Sequence, residues 1–432
     1  MCFFRFTVFC LGLLLSFHVL ADDLRQVYQL SVANDPILQA AHASLKANKT
    51  VLPQALAAMG PNLSGNYTTT GTNSSINFFN DYNTRNYGLS LNQPIYHTEH
   101  WAQLERSRHI VKGAEAVYAS AWQELMIRVA EQYFAILGAI DDLNNAQGKR
   151  IAFARSLEQT QQRFEVGLIA ITDVQDSRAR HDAAIAQEIF AKNALANQYE
   201  ILREITGEPI LAVSTLKMTK KLDLIPPFPN TIESWVNSAN LYNVDIIAAK
   251  ENARQARAAI GLQVAGFFPT FDLTGTLQRT KNTPPFPDEL NSSKNLTLQV
   301  SIPLFESGGT LFRTQQARAL YEEQMKNLER QQRLTDSQTR QAFRGVLTAI
   351  SQVKALTQVV LSTRTALEAT QASYEVGTRT MVDVLNAQAD LLNAERDLAK
   401  ARYDYLLEKL KLKRAAGTLS EEDLVEMNGL FY

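Results

Sequence analysis

Apolar residues recur along this chain with two distinct periods. From about residue 98 to residue 166 they return every three to four positions, uninterrupted by proline. This seam includes Val111, Ala114, Tyr118, Ala121, Leu125, Val129, Ile136, Ile140 and Leu143. The spacing predicts a helix of roughly 70 residues, ~100 Å long at ~1.5 Å per residue. Residues 306–376 repeat the pattern, and 381–416 carry Val382, Leu385, Ala389, Leu392, Ala399, Leu406 and Leu410. Helices this long read as coiled coil, and the alanines and glutamines on their seams suit close packing of several helices. Other segments alternate with period two. In 295–305 the apolar set is Leu296, Leu298, Val300, Ile302 and Leu304, against Thr297, Gln299 and Ser301. Phe271, Leu273 and Leu277 alternate likewise. One apolar face at period two predicts a half-buried strand. Four such segments, 61–73, 86–96, 269–281 and 295–305, each have about the length of a tilted membrane strand. Residues 23–58 predict an opening helix. The polar stretches 74–85 and 282–294 read as loops, the second holding Pro284-Pro285-Phe286-Pro287, which cannot continue a strand.

The order of elements occurs twice. QRFEVGLIAITDV at 162–174 lies over ASYEVGTRTMVDV at 372–384, and Asn92-Gln93-Pro94-Ile95-Tyr96 over Ser301-Ile302-Pro303-Leu304-Phe305. Gln132-Tyr133-Phe134 lies over Gln341-Ala342-Phe343, Pro61-Asn62-Leu63 over Pro269-Thr270-Phe271, and Gly207 over Gly417. A repeat of about 209 residues is too long for a solenoid and indicates a duplicated half-molecule. The expected division is repeat 1 over 22–222 and repeat 2 over 223–417.

Composition narrows the function classes. The 432 residues include 43 Lys and Arg against 44 Asp and Glu, a formal net charge of −1. Overall positive charge therefore does not recruit this chain to nucleic acid, and no nucleic-acid partner is expected. The first 21 residues read as a signal peptide: Arg5 opens it, Phe6 to Leu15 are an apolar run too short to span a bilayer, and Val19-Leu20-Ala21 precedes cleavage before Asp22. An uncleaved anchor is the other reading. Both cysteines, Cys2 and Cys10, fall within this segment. The mature chain then offers no disulfide and no thiolate metal site. No later stretch approaches 18 consecutive apolar residues, so a membrane form must use strands.

Four strands cannot close a barrel, because lipid satisfies no open backbone edge and barrels begin at about eight strands. Two copies would give eight strands and three would give twelve, the latter wide enough for a water-filled lumen. Four long helical segments per chain would give twelve in a trimer, enough for a hollow tube.

QRFEVGLIAITDVQDSRAR (162–180) and SYEVGTRTMVDVLNAQADLLNAERDLAKARYDYL (373–406) resemble the TolC family of outer-membrane efflux channels. The likeness runs from ANDPILQAA (33–41) to AAGTLSEEDL (415–424). It implies a mixed α and β membrane protein: a homotrimer with a twelve-strand outer-membrane barrel continued by a twelve-helix periplasmic tunnel. An equatorial belt would come from 208–232 and 417–432. The implied role is the passive exit duct of a tripartite efflux or type I secretion system. Its implied partners are a periplasmic membrane-fusion adaptor, an inner-membrane pump of RND or ABC type, and outer-membrane lipid. The family often carries a longer C-terminal tail than the one ending here at Tyr432.

The turn glycines Gly167 and Gly377 join the long helices at the end far from the strands. Asp173 and Asp383 follow near the start of the next helix, where its dipole favours negative charge, so both have a plain reading as caps. The resemblance implies more. The turns close the tunnel like an iris, with Gln162, Thr172 and Asp173 on first-repeat contact positions and Tyr374, Arg379 and Arg402 on their second-repeat partners. Asp383 falls on the first acidic position of the periplasmic constriction. The second acidic position is Asn386 here, a departure that removes half the carboxylates and weakens the expected cation selectivity.

Other signals carry less. His97, Glu99 and His100 stand together at a strand-to-helix junction but lack a further ligand cluster. Glu306-Ser307-Gly308-Gly309 lacks the full nucleophile-elbow pattern. No phosphate-binding Gly-Lys loop is present, so no cofactor is expected and a partner must supply energy. The rival readings are a periplasmic coiled-coil scaffold without channel activity, which leaves the four alternating segments unexplained, and an exported hydrolase, for which no catalytic set is found.

Overall fold

The computed structural model describes residues 22–73, 82–215, 222–282 and 290–429. The expected signal peptide and the central parts of both strand-joining loops lie outside these residues. Helix α1 (Leu24–Asn34) begins at a capping box formed by Asp23 and Gln26. Helix α2 (Pro36–Lys49) starts afresh at Asp35, whose carboxylate accepts from the Leu38 amide at 2.8 Å. Helix α3 (Val51–Ala57) follows. The single helix expected over 23–58 is therefore three. Pro36 lacks an N–H to bond backwards and holds Asp35 extended, which ends α1 and makes Pro36 the first residue of α2.

Strands β1 (Asn62–Thr72), β2 (Tyr82–Tyr96), β3 (Thr270–Asn282) and β4 (Leu290–Ser301) form one antiparallel sheet in the order β1-β2-β3-β4. Leu63 pairs with Leu91, Leu91 with Gly275, and Gly275 with Leu296. With alternation along each strand, this register puts Leu63, Tyr67, Leu89, Leu91, Leu273, Leu277, Leu296, Leu298 and Val300 on one face. The opposite face is Asn, Ser, Thr and Gln almost throughout, tied by Thr274–Asn92 and Thr280–Asn86 hydrogen bonds of 3.0 and 2.8 Å. The apolar face is solvent-exposed in the single chain: Leu296 is 76% exposed and Leu63 69%.

The strand limits differ from expectation at three ends. Strands β2 and β4 begin at residues 82 and 290, inside the stretches expected as loops, because backbone pairing to Thr72 and Lys281 continues through polar residues. Strand β4 stops at Ser301, opposite Thr270 where β3 begins. Ile302 and Leu304 keep the alternation but lie past the last partner.

The long helices are α4 (Thr98–Glu165), α5 (Ile171–Thr206), α8 (Gly309–Glu375) and α9 (Met381–Ala415), with α6 (Ile232–Tyr242) and α7 (Val244–Val264) between the halves. Helix α4 packs along α5, α8 along α9, and α7 lies against both α4 and α8. Among the described residues, α8 is the one helix long and apolar enough to cross a membrane by length and composition. That helix packs along α7 and α9, where an apolar seam is required.

The main core lies at the middle of α4. Leu125, Val129, Tyr133 and Ile136 are fully buried there against Leu24 and Val27 of α1, Val346 of α8, and Tyr405 and Leu410 of α9. Val111, Ala114 and Leu143 of the expected seam are only half-buried. Asp22 bridges to the segment after α5, its N–H donating to Ala212 O at 2.9 Å, and the Tyr133 hydroxyl donates to Ser214 O at 2.7 Å. Helix α10 (Glu421–Asn428) closes on α1 through Tyr28–Glu421 and Asn428–Asp23 hydrogen bonds of 3.1 and 2.8 Å.

Candidate functional site

The two helical hairpins end in matching tips. Gly167 and Gly377 adopt left-handed conformations, φ 77° and 79°, where side chains are disfavoured. The Gly167 and Leu168 amides donate to Phe164 and Arg163 carbonyls, and the Gly377 and Thr378 amides to Tyr374 and Ser373 carbonyls. This double closure satisfies the last carbonyls of α4 and α8 and sends the chain back on itself.

The aspartates that follow differ. Asp383 forms half of a capping box: its carboxylate accepts from the Thr380 amide at 2.9 Å and hydroxyl at 2.8 Å, while its own amide donates to the Thr380 hydroxyl. Those bonds, with Arg379 at 3.9 Å, hold its carboxyl below the usual aspartate range. Asp173 sits in the first turn of α5 without a side-chain cap bond, since Ala170 occupies the cap position. The side-chain cap therefore forms at Asp383 and not at Asp173, which keeps only the first-turn position that the helix dipole favours.

Among the described residues, no hydrogen bond or ion pair within the chain joins Gln162, Thr172 or Asp173 to Tyr374, Arg379 or Arg402. Gln162, Thr172 and Asp173 are exposed, and Arg402 is half-buried. The two tips do touch, through a residue the sequence reading missed: the Arg163 guanidinium lies 5.0 Å from the centre of the Tyr374 ring. Its signal was its position beside Gln162.

Asn386 is not free. Its side-chain oxygen accepts from Arg180 Nη1 of α5 at 3.2 Å, and Arg180 Nε donates to Asp176 at 3.1 Å. Neither residue was anticipated, although both lie within the quoted 162–180 motif. Aspartates at 383, 390, 397 and 404 recur every seven residues on α9, a heptad stripe that the spacing alone shows. Further from the tips, Lys149 donates to Asn393 at 2.8 Å and Arg364 pairs with Glu395 at 2.8 Å. Burial, with Arg396 nearby, pulls the Lys149 amine below its ordinary value. The Tyr403 hydroxyl donates to Asp141 at 2.7 Å between α9 and α4. Burial raises the Asp141 carboxyl above its ordinary value, and the Tyr403 bond opposes this.

At the strand-to-helix junction His97 caps no amide. It binds Asp272 of β3 at 3.1 Å and stacks on His100 with ring centres 4.7 Å apart. Among the described residues no group of three or more His, Cys, Asp or Glu is placed to hold a metal ion.

A membrane-type sheet with one apolar and one polar face, continued by paired long helices, defines an outer-membrane channel architecture. The outer membrane channel CmeC of Campylobacter jejuni has the same fold, with a TM-score of 0.81, 18% identity and coverage of 94% of this chain and 89% of that one. The family model described as "Outer membrane efflux protein" matches twice, over residues 27–208 and 235–418. The outer membrane protein TolC of Vibrio cholerae is 35% identical over 96% of this chain and 95% of its own length. The alkaline protease secretion protein AprF of Pseudomonas aeruginosa is 28% identical over 95% of this chain and 88% of its own. The chain belongs to the outer membrane efflux protein family. It is an outer-membrane exit channel for efflux or type I secretion rather than an enzyme.

Proposed function

We propose that three copies assemble into one passive duct, with twelve strands crossing the outer membrane and twelve helical segments forming a periplasmic tunnel. The four-stranded sheet with unpaired β1 and β4 edges carries this reading. In lipid those edges need partners, and further copies of the same sheet supply them. The apolar face then meets lipid, and the Asn, Ser, Thr and Gln face lines water. Each chain contributes repeat 1 over 22–222 and repeat 2 over 223–417, with 208–232 and 417–432 in the equatorial belt. Clustering of the Asp22–Val213 bridge and α10 around the mid-helix core supports that placement.

The hairpin tips form the gate. Gln162, Thr172 and Asp173 of one hairpin meet Tyr374, Arg379 and Arg402 of a neighbouring copy. The exposure of Gln162, Thr172, Asp173 and Arg379, and the lack of bonds between the two sets within one chain, supports contacts made between copies. Asp383 and Asn386 line the constriction. A periplasmic membrane-fusion adaptor and an RND or ABC-type inner-membrane pump dock at this end and supply the energy, a reading supported by the likeness to a protease secretion protein and to efflux channels. Purified protein in a planar bilayer tests the reading: it should conduct ions in steps without any energy source. A detergent-solubilised assembly that inserts and never conducts would favour the scaffold.

A further inference from the structure

We infer that Arg180 sets the charge of the channel mouth. The inference rests on the proposed placement of residues 383 and 386 at the constriction. Arg180 lies in the third turn of α5, and its guanidinium is held on two nitrogens, Nε by Asp176 Oδ2 at 3.1 Å and Nη1 by Asn386 Oδ1 at 3.2 Å. Two nitrogens engaged by acceptors on different helices fix a planar cation across the α5–α9 seam. Only about a third of its side chain is exposed, 35%, against 55% for Asp176.

The chemistry at position 386 is thereby inverted. A carboxylate there would present a cation ligand. This chain instead has an amide whose oxygen already accepts a bond from a permanent cation. Lysine would keep the charge, but a single ammonium group lacks the fork that spans both acceptors. The remaining carboxylate at the start of α9, Asp383, is engaged with Thr380 and faces Arg379 at 3.9 Å. The mouth thus discriminates weakly between cations and anions, and Arg180 is a specificity-determining residue for what passes.

For one charge ~7 Å from an ion path in water, the Coulomb interaction is close to RT, and it acts with opposite sign on cations and anions in each of three copies, so removing it changes relative permeability on the order of tenfold or more. Reversal potentials under a salt gradient in planar bilayers test this with Arg180→Gln, Arg180→Lys, Asn386→Asp and the double variant Arg180→Gln/Asn386→Asp. Arg180→Gln should shift the reversal potential toward cations by that factor, with Arg180→Lys close to the unaltered channel. Asn386→Asp should shift it more when Arg180 is absent, because the guanidinium otherwise neutralises the new carboxylate. An unchanged potential in Arg180→Gln, with Asn386→Asp still shifting it, overturns the inference and leaves the constriction in place. Unchanged potentials in all four variants overturn both the inference and the constriction on which it rests.

Discussion

The Tyr403–Asp141 bond offers a quantitative test of how α9 is fastened to α4. Tyr403 is 8% exposed, and its hydroxyl donates to Asp141 Oδ2 at 2.7 Å. Tyr403→Phe removes the donor and leaves ring packing against Phe134 in place, the two rings being stacked with centres 5.9 Å apart. A bond to a charged acceptor contributes about 2 kcal/mol, so the thermal midpoint of the detergent-solubilised protein should fall by a few degrees at neutral pH. The sign of the pH dependence follows from Asp141. Burial raises its folded-state pKa above the unfolded value, so the folded chain binds the proton more tightly. Its contribution to stability is present below the unfolded pKa of ~3.9 and is lost as pH rises through the folded value. The Tyr403 hydroxyl limits that loss, so the gap between Tyr403→Phe and the unaltered protein should widen from acidic to neutral pH. Asp141→Asn should flatten the pH dependence and reduce the effect of Tyr403→Phe. Thermal scans of helical circular dichroism at two pH values read all four proteins. An equal gap at both pH values, or strict additivity of the two substitutions, would refute the reasoning.

Three further outcomes are expected. Arg379→Ala or Asp173→Ala should raise single-channel conductance by removing a tie between hairpins; wild-type conductance in both would show the ties wrongly assigned. Asn386→Asp should strengthen block by added divalent cations, measured as a lower blocking concentration and most strongly together with Arg180→Gln, and an unchanged block in both backgrounds would remove this residue from the lumen. Gly417→Ala should destabilise far more than Gly377→Ala. Both glycines are left-handed, costing about 1–2 kcal/mol on substitution, but only at Gly417 would the new Cβ collide with the Tyr242 backbone. Equal thermal midpoints for these two variants would contradict the packing of α9 on the α6–α7 junction.

Much of this architecture was readable because long-range periodicity is a strong signal. The 98–166 and 381–416 seams and the two Gly turns follow from spacing alone, and α4, α8 and α9 match within a few residues. Local breaks were harder. Asp35-Pro36 ends a helix in the middle of an apolar pattern that continues on both sides, so periodicity hid a break that cap chemistry reveals. Strand ends at 82, 290 and 301 depend on how far the partner strand runs, which no single segment encodes. At the tips, the family resemblance, not spacing, singled out Asp383 and Asn386. Arg180 and Arg163 act across helices, from α5 to α9 and from α4 to α8, and such partners emerge only once the hairpins are packed.

The open β1 and β4 edges make copy number the decisive quantity. Native mass measurement of the detergent-purified protein should return three chains per particle, giving twelve strands with every edge paired. A monomer that stays dissolved without detergent would contradict the account.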